Sequence, residues 1–258
     1  MDKTDKIKQE EFPLPRYVQE VLSKHNISLP SLWGRGKGEG MLGSLSVLAL
    51  QSHRYPDIDM PFLLDQLAGW QTARTKLPSW AAKEDIIYPP HLSMEQCSSE
   101  HTAEYKARLV VRLVGVENFA SSNLNNDYSR PSAGEETTPK QQENHVRNSF
   151  EGSFCDLTGG FGVDFSFIAR SFKRAIYVEQ QEKLCELARH NFHALGLIQA
   201  EVVNGDGTTY LHQLDHVSVL FLDPARRNEQ GGKTVLISDC TPDVLALEEE
   251  LLEKADTV

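Results

Sequence analysis

The chain has 258 residues and carries 37 acidic against 26 basic side chains, a formal net charge of −11 at pH 7. This excess of acidic residues argues against a protein that binds a polyanion by charge alone, because Lys and Arg supply most of the affinity for nucleic acid phosphates. Residues 1–12 contain no apolar signal region, no apolar run could cross a membrane, and the four cysteines lack paired spacing, so we expect a cytoplasmic protein without a membrane partner.

Residues 1–111 are predicted to form a small, mainly helical domain. Three segments have the composition and spacing of helices: 17–25, 61–76 and 101–111. The middle segment carries an apolar stripe that we interpret as a core face: Phe62, Leu63, Leu67 and Trp70. Just before the third helix stand three side chains that can donate hydrogen bonds: Gln96, Ser98 and Ser99. We interpret Tyr105 and Lys106 on that helix as a surface pair.

Residues 112–150 differ in character from the regions on either side. Between Ser121 and His145 large apolar side chains are almost absent, and Asn, Ser, Glu and Gln predominate. A segment of this composition cannot bury enough apolar surface to offset the entropy lost on ordering. We therefore predict a flexible linker or an insertion here.

Residues 151–258 alternate strands with helices, which is the pattern of an α/β domain with a parallel sheet. Short apolar runs predict four strands: 153–155, 175–178, 200–203 and 217–222. Helices are predicted after them: 165–170, 181–195, 208–214 and 242–254. Asp164 is placed to cap the first of these helices. Residues 255–258 resemble the approach to a fifth strand that is not completed, so we expect a truncated sheet.

An acidic residue follows each predicted strand. These residues are Asp156, Glu179, Asp206 and Asp223. Because parallel strands end at the same edge of a sheet, we expect the four carboxylates at the edge where open α/β sheets bind ligands. An acid after the second strand can accept both hydroxyls of a ribose, and one after the third can accept from an adenine amino group. The spacing predicts a nucleoside site.

The turn after the first strand reads Asp156-Leu-Thr-Gly-Gly-Phe-Gly162, and its glycines allow backbone to approach a ligand closely. Phe165 stands where the dinucleotide fingerprint has a third small residue, and Asp164 would repel a phosphate. The turn therefore favours a zwitterionic amino-acid group over a pyrophosphate. An NAD(P)-dependent oxidoreductase is the alternative.

These residues resemble the class I S-adenosylmethionine-dependent methyltransferases, with residues 156–162 as the first motif. More narrowly, the chain resembles the bacterial branch whose complete members carry a C-terminal THUMP-like domain. Four stretches carry this second resemblance: 88–100, 102–107, 222–227 and 239–243. The resemblance implies a Rossmann-like methyltransferase sheet, preceded by a smaller helical domain and truncated at its C-terminal side. That truncation is a reason for the isolated chain to be inactive.

The resemblance also implies the site residues. The expected contacts to S-adenosyl-L-methionine are Asp156, Thr158, Gly159, Gly160, Gly162, Glu179, Gln180, Asp206 and Gly207. The expected catalytic residues are Asp223, Pro224 and Arg226, and no metal is expected. Related enzymes that methylate exocyclic amines have an aromatic residue at the position of Arg226, where a guanidinium could stack on a base, bind a phosphate or pair with a carboxylate.

The activity implied is methyl transfer to a base in structured RNA, either rRNA or tRNA. The expected partners are S-adenosylmethionine or S-adenosylhomocysteine and the RNA, with no obligate protein partner. A second alternative is a non-catalytic RNA-binding or assembly module that keeps the methyltransferase fold.

Overall fold

The computed structural model describes residues 12–27, 42–115, 150–224 and 240–258. The chain divides into two compact units, Met1–Met94 and Glu95–Val258, which we call the helical unit and the sheet unit. Most of the predicted linker 112–150 and all of Arg226 lie outside the described residues. None of the described helices combines the length and the apolar character needed to cross a bilayer.

The helical unit contains, in its described residues, helices of 4 to 17 residues. Its helices are α1 (Arg16–Lys24), α2 (Leu42–Leu50), α3 (Met60–Lys76) and α4 (Pro78–Ala81), and α5 (His91–Gln96) lies at the boundary between the units. The predicted helices at 17–25 and 61–76 are confirmed to within one residue. Asp59 begins α3 by accepting a hydrogen bond from the backbone N–H of Phe62 at 3.1 Å.

The core of the helical unit lies along one face of α3. Leu63, Leu67 and Trp70 are buried there, as their spacing predicts, whereas Phe62 of the same predicted stripe is half-buried. Gln66 is buried on the same helix because its amide bonds both backbone groups of Tyr88, donating to the carbonyl and accepting from the N–H, each at 2.8 Å. A buried polar side chain is tolerated when its hydrogen bonds are satisfied in this way.

Within its described residues the sheet unit contains five parallel strands in the order β3-β2-β1-β4-β5. The strands are β1 (Phe150–Asp156), β2 (Phe172–Glu179), β3 (Ala200–Asn204), β4 (Val217–Phe221) and β5 (Ala255–Thr257). The four predicted strands are confirmed. The expectation that residues 255–258 only approach a fifth strand is wrong, because Ala255–Thr257 already pairs with β4.

Helices cover both faces of the sheet. They are α6 (Glu100–Leu113), α7 (Val163–Ile168), α8 (Glu182–Ala194), α9 (Gly207–Gln213) and α10 (Val244–Lys254). One face carries an aromatic cluster with ring centroids 4.8 to 5.5 Å apart: Phe154, Phe165, Phe172, Tyr177 and Phe192. The other face is aliphatic, and Leu211 of α9 and Leu251 of α10 pack there against Cys155 and Ile176. Alternation along the strands produces the two faces.

Helix α6 belongs to the sheet unit, where it packs against α7. The sequence placed this segment in the helical domain 1–111, because its apolar spacing identifies a helix but not the surface on which the helix packs. Ser99 caps α6 by accepting from the backbone N–H of Thr102 at 3.2 Å. Ser98, just before α6, lies beside the start of α7, where its hydroxyl donates to Asp164 at 2.8 Å.

Candidate functional site

The turn from Leu157 to Gly162 lies at the C-terminal edge of the sheet and is bonded to the strands on both sides of β1. The N–H of Leu157 donates to the carbonyl of Phe221 in β4 at 3.0 Å, and that of Gly159 donates to Val178 in β2 at 2.9 Å. Gly160 and Gly162 have φ values of +56° and +84°, which glycine adopts without strain. The turn is thus held in place by backbone hydrogen bonds to the strands on both sides of β1.

Glu179 ends β2 and is buried beside this turn. One carboxylate oxygen accepts from the backbone N–H of Gly160 at 2.9 Å, and the other accepts from the N–H of Gln181 at 2.8 Å. Each oxygen keeps acceptor capacity, since an ionised carboxylate offers about four lone-pair sites. Glu179 is therefore oriented by the backbone and can accept two further hydrogen bonds, as a vicinal diol requires.

Tyr177 in β2 and Gln180 directly after β2 also take part in hydrogen bonds at this edge. The Tyr177 hydroxyl donates to the carbonyl of Gly160, which secures the far side of the turn. Gln180 is exposed, and its backbone carbonyl accepts from the Asn204 side-chain amide at 3.1 Å. The same amide also donates to the carbonyl of Glu179 at 3.0 Å, so Asn204 ties the end of β2 to the end of β3.

Asp206 lies between β3 and α9 and caps that helix. Its Oδ1 accepts from the backbone N–H and the hydroxyl of Thr209, at 2.8 and 3.0 Å. Gly207 follows at the first position of α9, and a Cβ placed there would lie 2.2 Å from the carbonyl oxygen of Leu157. Because Gly207 has no Cβ, α9 can begin this close to the glycine turn. Asp206 therefore lies at the same edge as the turn, where it is exposed.

We expect Gly207→Ala to destabilise the sheet unit by roughly 1–3 kcal/mol, because a backbone carbonyl cannot move aside as a flexible side chain can. Gly205→Ala is the matched control, since a Cβ at Gly205 would meet nothing within 4 Å. Thermal unfolding of both variants checks the prediction. Equal stability of the two would contradict the close approach of α9 to the turn.

Asp156, the last residue of β1, is buried beneath the turn. Its Oδ1 accepts from the backbone N–H of Thr158 at 2.9 Å and lies 3.4 Å from the Thr158 hydroxyl. Burial raises the pKa of Asp156 to about 7, and the negative charges of Asp164 and Asp223 add to this effect. The opposing influences are the hydrogen bond from Thr158 and the charge of Lys106. A carboxyl group with such a pKa is typical of a functional site.

Asp223 and Pro224 follow β4 at the same edge. The backbone N–H of Asp223 donates to the Thr158 hydroxyl at 2.7 Å, so the turn holds the tip of β4. The Asp223 side chain is 60% exposed, which leaves its carboxylate accessible to a substrate. Eleven of the twelve residues expected in the site thus lie at one sheet edge, and the twelfth, Arg226, falls outside the described residues.

Two charged residues at this edge were missed or misassigned from the sequence. Lys106 of α6 does not form a surface pair with Tyr105; its Nζ lies 2.8 Å from Asp164 Oδ2 and 3.5 Å from Asp223 Oδ2. Asp164 does not cap α7, because that helix begins at Val163 after Gly162. Besides its contact with Lys106, Asp164 Oδ2 accepts a hydrogen bond from the Ser98 hydroxyl at 2.8 Å.

The sequence does indicate that Lys106 needs a charged partner. Lys106 falls on the helical face shared by Ala103, Ala107 and Val110, all of which are buried. A lysine at such a position needs a partner, because burial without one would neutralise it. No group of three or more His, Cys, Asp or Glu side chains in the described ranges is arranged to hold a metal.

No protein-family model and no curated protein matches the chain. Among solved structures, the chain is similar to a protein from Porphyromonas gingivalis W83 assigned as a methyltransferase, with 24% identity and a TM-score of 0.55. That alignment covers 83% of this chain but 47% of the other, so the chain spans about half the length of that protein. The likeness shows the fold, a Rossmann-like sheet of the methyltransferase type.

Two further solved structures align over shorter parts of the chain. An O-methyltransferase from Bacillus cereus, solved in complex with SAH, has 17% identity and a TM-score of 0.33 over 58% of this chain and 61% of its own. An rRNA methylase from Streptococcus thermophilus has 16% identity and a TM-score of 0.32 over 47% of this chain and 68% of its own.

Proposed function

We propose that the sheet unit binds S-adenosylmethionine and transfers its methyl group to an acceptor at the tip of β4. The observation that carries this proposal is the orientation of Glu179. Both of its oxygens are fixed by backbone N–H groups of the turn and of the segment before α8, and both retain acceptor capacity towards a ribose diol. The residues at the edge fit the cofactor in chemistry as well as in order.

The charges near the turn support an amino-acid group over a pyrophosphate. Asp164 and Asp223 together carry more negative charge than the Lys106 ammonium between them, so this edge would repel phosphate and attract an ammonium group. Asp164 Oδ1 is buried and has no hydrogen-bond partner among the described residues, so an acceptor is free for a donor on the ligand. Phe165 stacks within the aromatic cluster, so no small residue stands where a dinucleotide fold needs one.

The proposed cofactor contacts follow from these positions. Glu179 would hold the ribose, Asp206 the adenine amino group, and the glycine turn with Asp156 and Thr158 the methionine portion; Gly207 and Gln180 line the edge between them. When bound, the sulfonium would supply an activated methyl group. Methyl transfer then mainly requires that the acceptor is held in line and loses its proton.

We propose that Asp223 helps the acceptor to lose its proton. Its carboxylate is exposed at the edge, while its backbone is fixed by Thr158, so it can accept a hydrogen bond from an acceptor N–H or O–H group. Pro224 restricts the backbone directly after it. Arg226 is proposed to bind the base or a phosphate, as its place two residues further on suggests.

We propose structured RNA, either rRNA or tRNA, as the methyl acceptor. The support is the sequence resemblance described above and the accessible Asp223-Pro224 tip. Residues 151–258 contain 18 acidic and 9 basic side chains, so this part of the chain needs help from a basic surface elsewhere to hold a polyanion. Methyl transfer from isotope-labelled S-adenosylmethionine to separated rRNA and tRNA fractions tests the acceptor.

Calorimetric titration of S-adenosylhomocysteine into the full chain tests the cofactor. We expect saturable binding to the wild type, weakened by Asp206→Asn, because the amide keeps an acceptor oxygen for Thr209 but loses the charge. NADH is titrated in parallel. Binding of NADH without binding of S-adenosylhomocysteine would favour the oxidoreductase and overturn the proposal, and binding of neither by a folded chain would also overturn it.

A further inference from the structure

We infer that Lys106 is a positioning residue for the acceptor side of the site: its ammonium group ties the tip of β4, with Asp223, to helices α6 and α7. The inference depends on the proposed function only for the role given to Asp223. The ties themselves can be measured whether or not a cofactor binds. Lys106 lies 58 residues before Asp164 and 117 before Asp223 in the chain, so it connects three separate segments.

The contacts of Lys106 hold its ammonium group in a defined position. Its Nζ donates to Asp164 Oδ2 at 2.8 Å and reaches the Ser98 hydroxyl at 3.3 Å, which fixes it against the start of α7. From there the ammonium makes two contacts with the end of β4, to Asp223 Oδ2 at 3.5 Å and to the Phe221 ring at 5.3 Å from its centroid. The side chain is 25% exposed, so solvent screens these contacts only in part.

Lys106 stays charged in this setting. Burial alone would lower its pKa, but the hydrogen bond and charge of Asp164 and the charge of Asp223 outweigh burial, and the net effect is a raised pKa. A permanent cation beside Asp223 restrains the direction of that carboxylate over the whole physiological pH range. A neutral side chain of the same length could not do so.

Asp223 is consequently held at two points from two sides. Its backbone N–H is fixed by the hydroxyl of Thr158 in the turn, and its carboxylate is drawn towards α6 by Lys106. The backbone tie sets where the residue lies, and the side-chain tie sets which way the carboxylate faces. Without Lys106 the 60% exposed side chain would lose this restraint, and the tip of β4 would lose the ion pair that links it to α6.

A purely compensating role is the competing explanation, in which Lys106 only neutralises Asp164. Comparing Lys106→Met with the double variant Lys106→Met/Asp164→Asn separates the two roles, because the double variant removes the charge that would need compensation. Lys106→Arg keeps the cation. Lys173→Met is the matched control, since Lys173 also pairs with one carboxylate of the sheet unit, Glu151 at the other end of β1.

The measurement is amide hydrogen exchange by NMR on the full chain, read at the Asp223 N–H and referenced to the Gly159 N–H. We expect about two- to fivefold faster exchange at Asp223 in Lys106→Met and in the double variant, the range set by losing a partly exposed ion pair. Lys106→Arg and Lys173→Met should stay at the wild-type rate. Recovery of the wild-type rate in the double variant, or no change in Lys106→Met, would overturn the inference.

The same samples are titrated with S-adenosylhomocysteine. If the wild type fails to bind S-adenosylhomocysteine while exchange at Asp223 is still faster in the two variants that lack the cation, the proposed function fails and the positioning role of Lys106 stands. Loosening of Asp223 only in the two variants that lack the cation supports the positioning role.

Discussion

Exchanging Glu179 for glutamine is expected to weaken S-adenosylhomocysteine binding roughly 10- to 150-fold, as a loss of 1.5–3 kcal/mol from charge-assisted hydrogen bonds would produce. The two oxygens of Glu179 each accept from a backbone N–H, of Gly160 and of Gln181. An amide has one acceptor oxygen, so its NH₂ group would face one of these donors. The turn and the ribose site would be disturbed together. Calorimetric titration measures the effect.

Glu182→Gln is the matched control for this exchange. Glu182 begins α8 three residues later and is exposed, so the same chemical change falls on a side chain outside the site. Its affinity for S-adenosylhomocysteine should equal that of the wild type. If Glu179→Gln also bound within about threefold of the wild type, with the mutant shown to be folded, the ribose role of Glu179 would be refuted.

Replacing Asp156 by asparagine is expected to stabilise the sheet unit at alkaline pH. Burial, helped by the charges of Asp164 and Asp223, raises the pKa of Asp156 from 3.8 to about 7. Between these values the folded protein holds a proton that the unfolded chain has released, so the wild type loses stability as the pH rises through this window. Above pH 7 the ionised carboxylate opposes folding in full, and asparagine removes that cost.

The expected gain in the free energy of unfolding for Asp156→Asn is on the order of 3 kcal/mol at about pH 8, shrinking towards zero near pH 4. Urea unfolding at both pH values checks this. Asp215→Asn, at an exposed position before β4, should change stability by less than about 0.5 kcal/mol at either pH. A pH-independent effect of Asp156→Asn would show that the carboxyl group does not titrate as its burial requires.

The sheet edge could be predicted from the sequence because each of its parts is determined by residues that are neighbours in the chain. Each strand is short and apolar, each is followed by a carboxylate, and alternation with helices makes the strands parallel. Asp156, Glu179, Asp206 and Asp223 therefore had to meet at one edge once the strands were correct. The glycine turn was predictable for the same reason, since it directly follows β1.

The position of α6 and the bonds of Lys106 were not predictable from the same patterns. The apolar face of α6 shows that the helix is packed, but the choice between the helical unit and the sheet is made by tertiary contacts far away in sequence. The start of α7 was missed because Gly162, rather than a side-chain acceptor, precedes it. The strand at Ala255–Thr257 is too short to give a periodic signal, and pairing with β4 decides it.

The membership of α6 in the sheet unit has a consequence for how this gene can be rearranged. A recombination breakpoint anywhere from residue 114 to residue 149 would look harmless, because it spares every strand that the structure describes and the glycine turn after β1. It would nevertheless separate Ser98 and Lys106 from Asp164 and Asp223, leaving the acidic edge without its cation. A breakpoint before α6, near the boundary at Met94 and Glu95, would keep these four residues together.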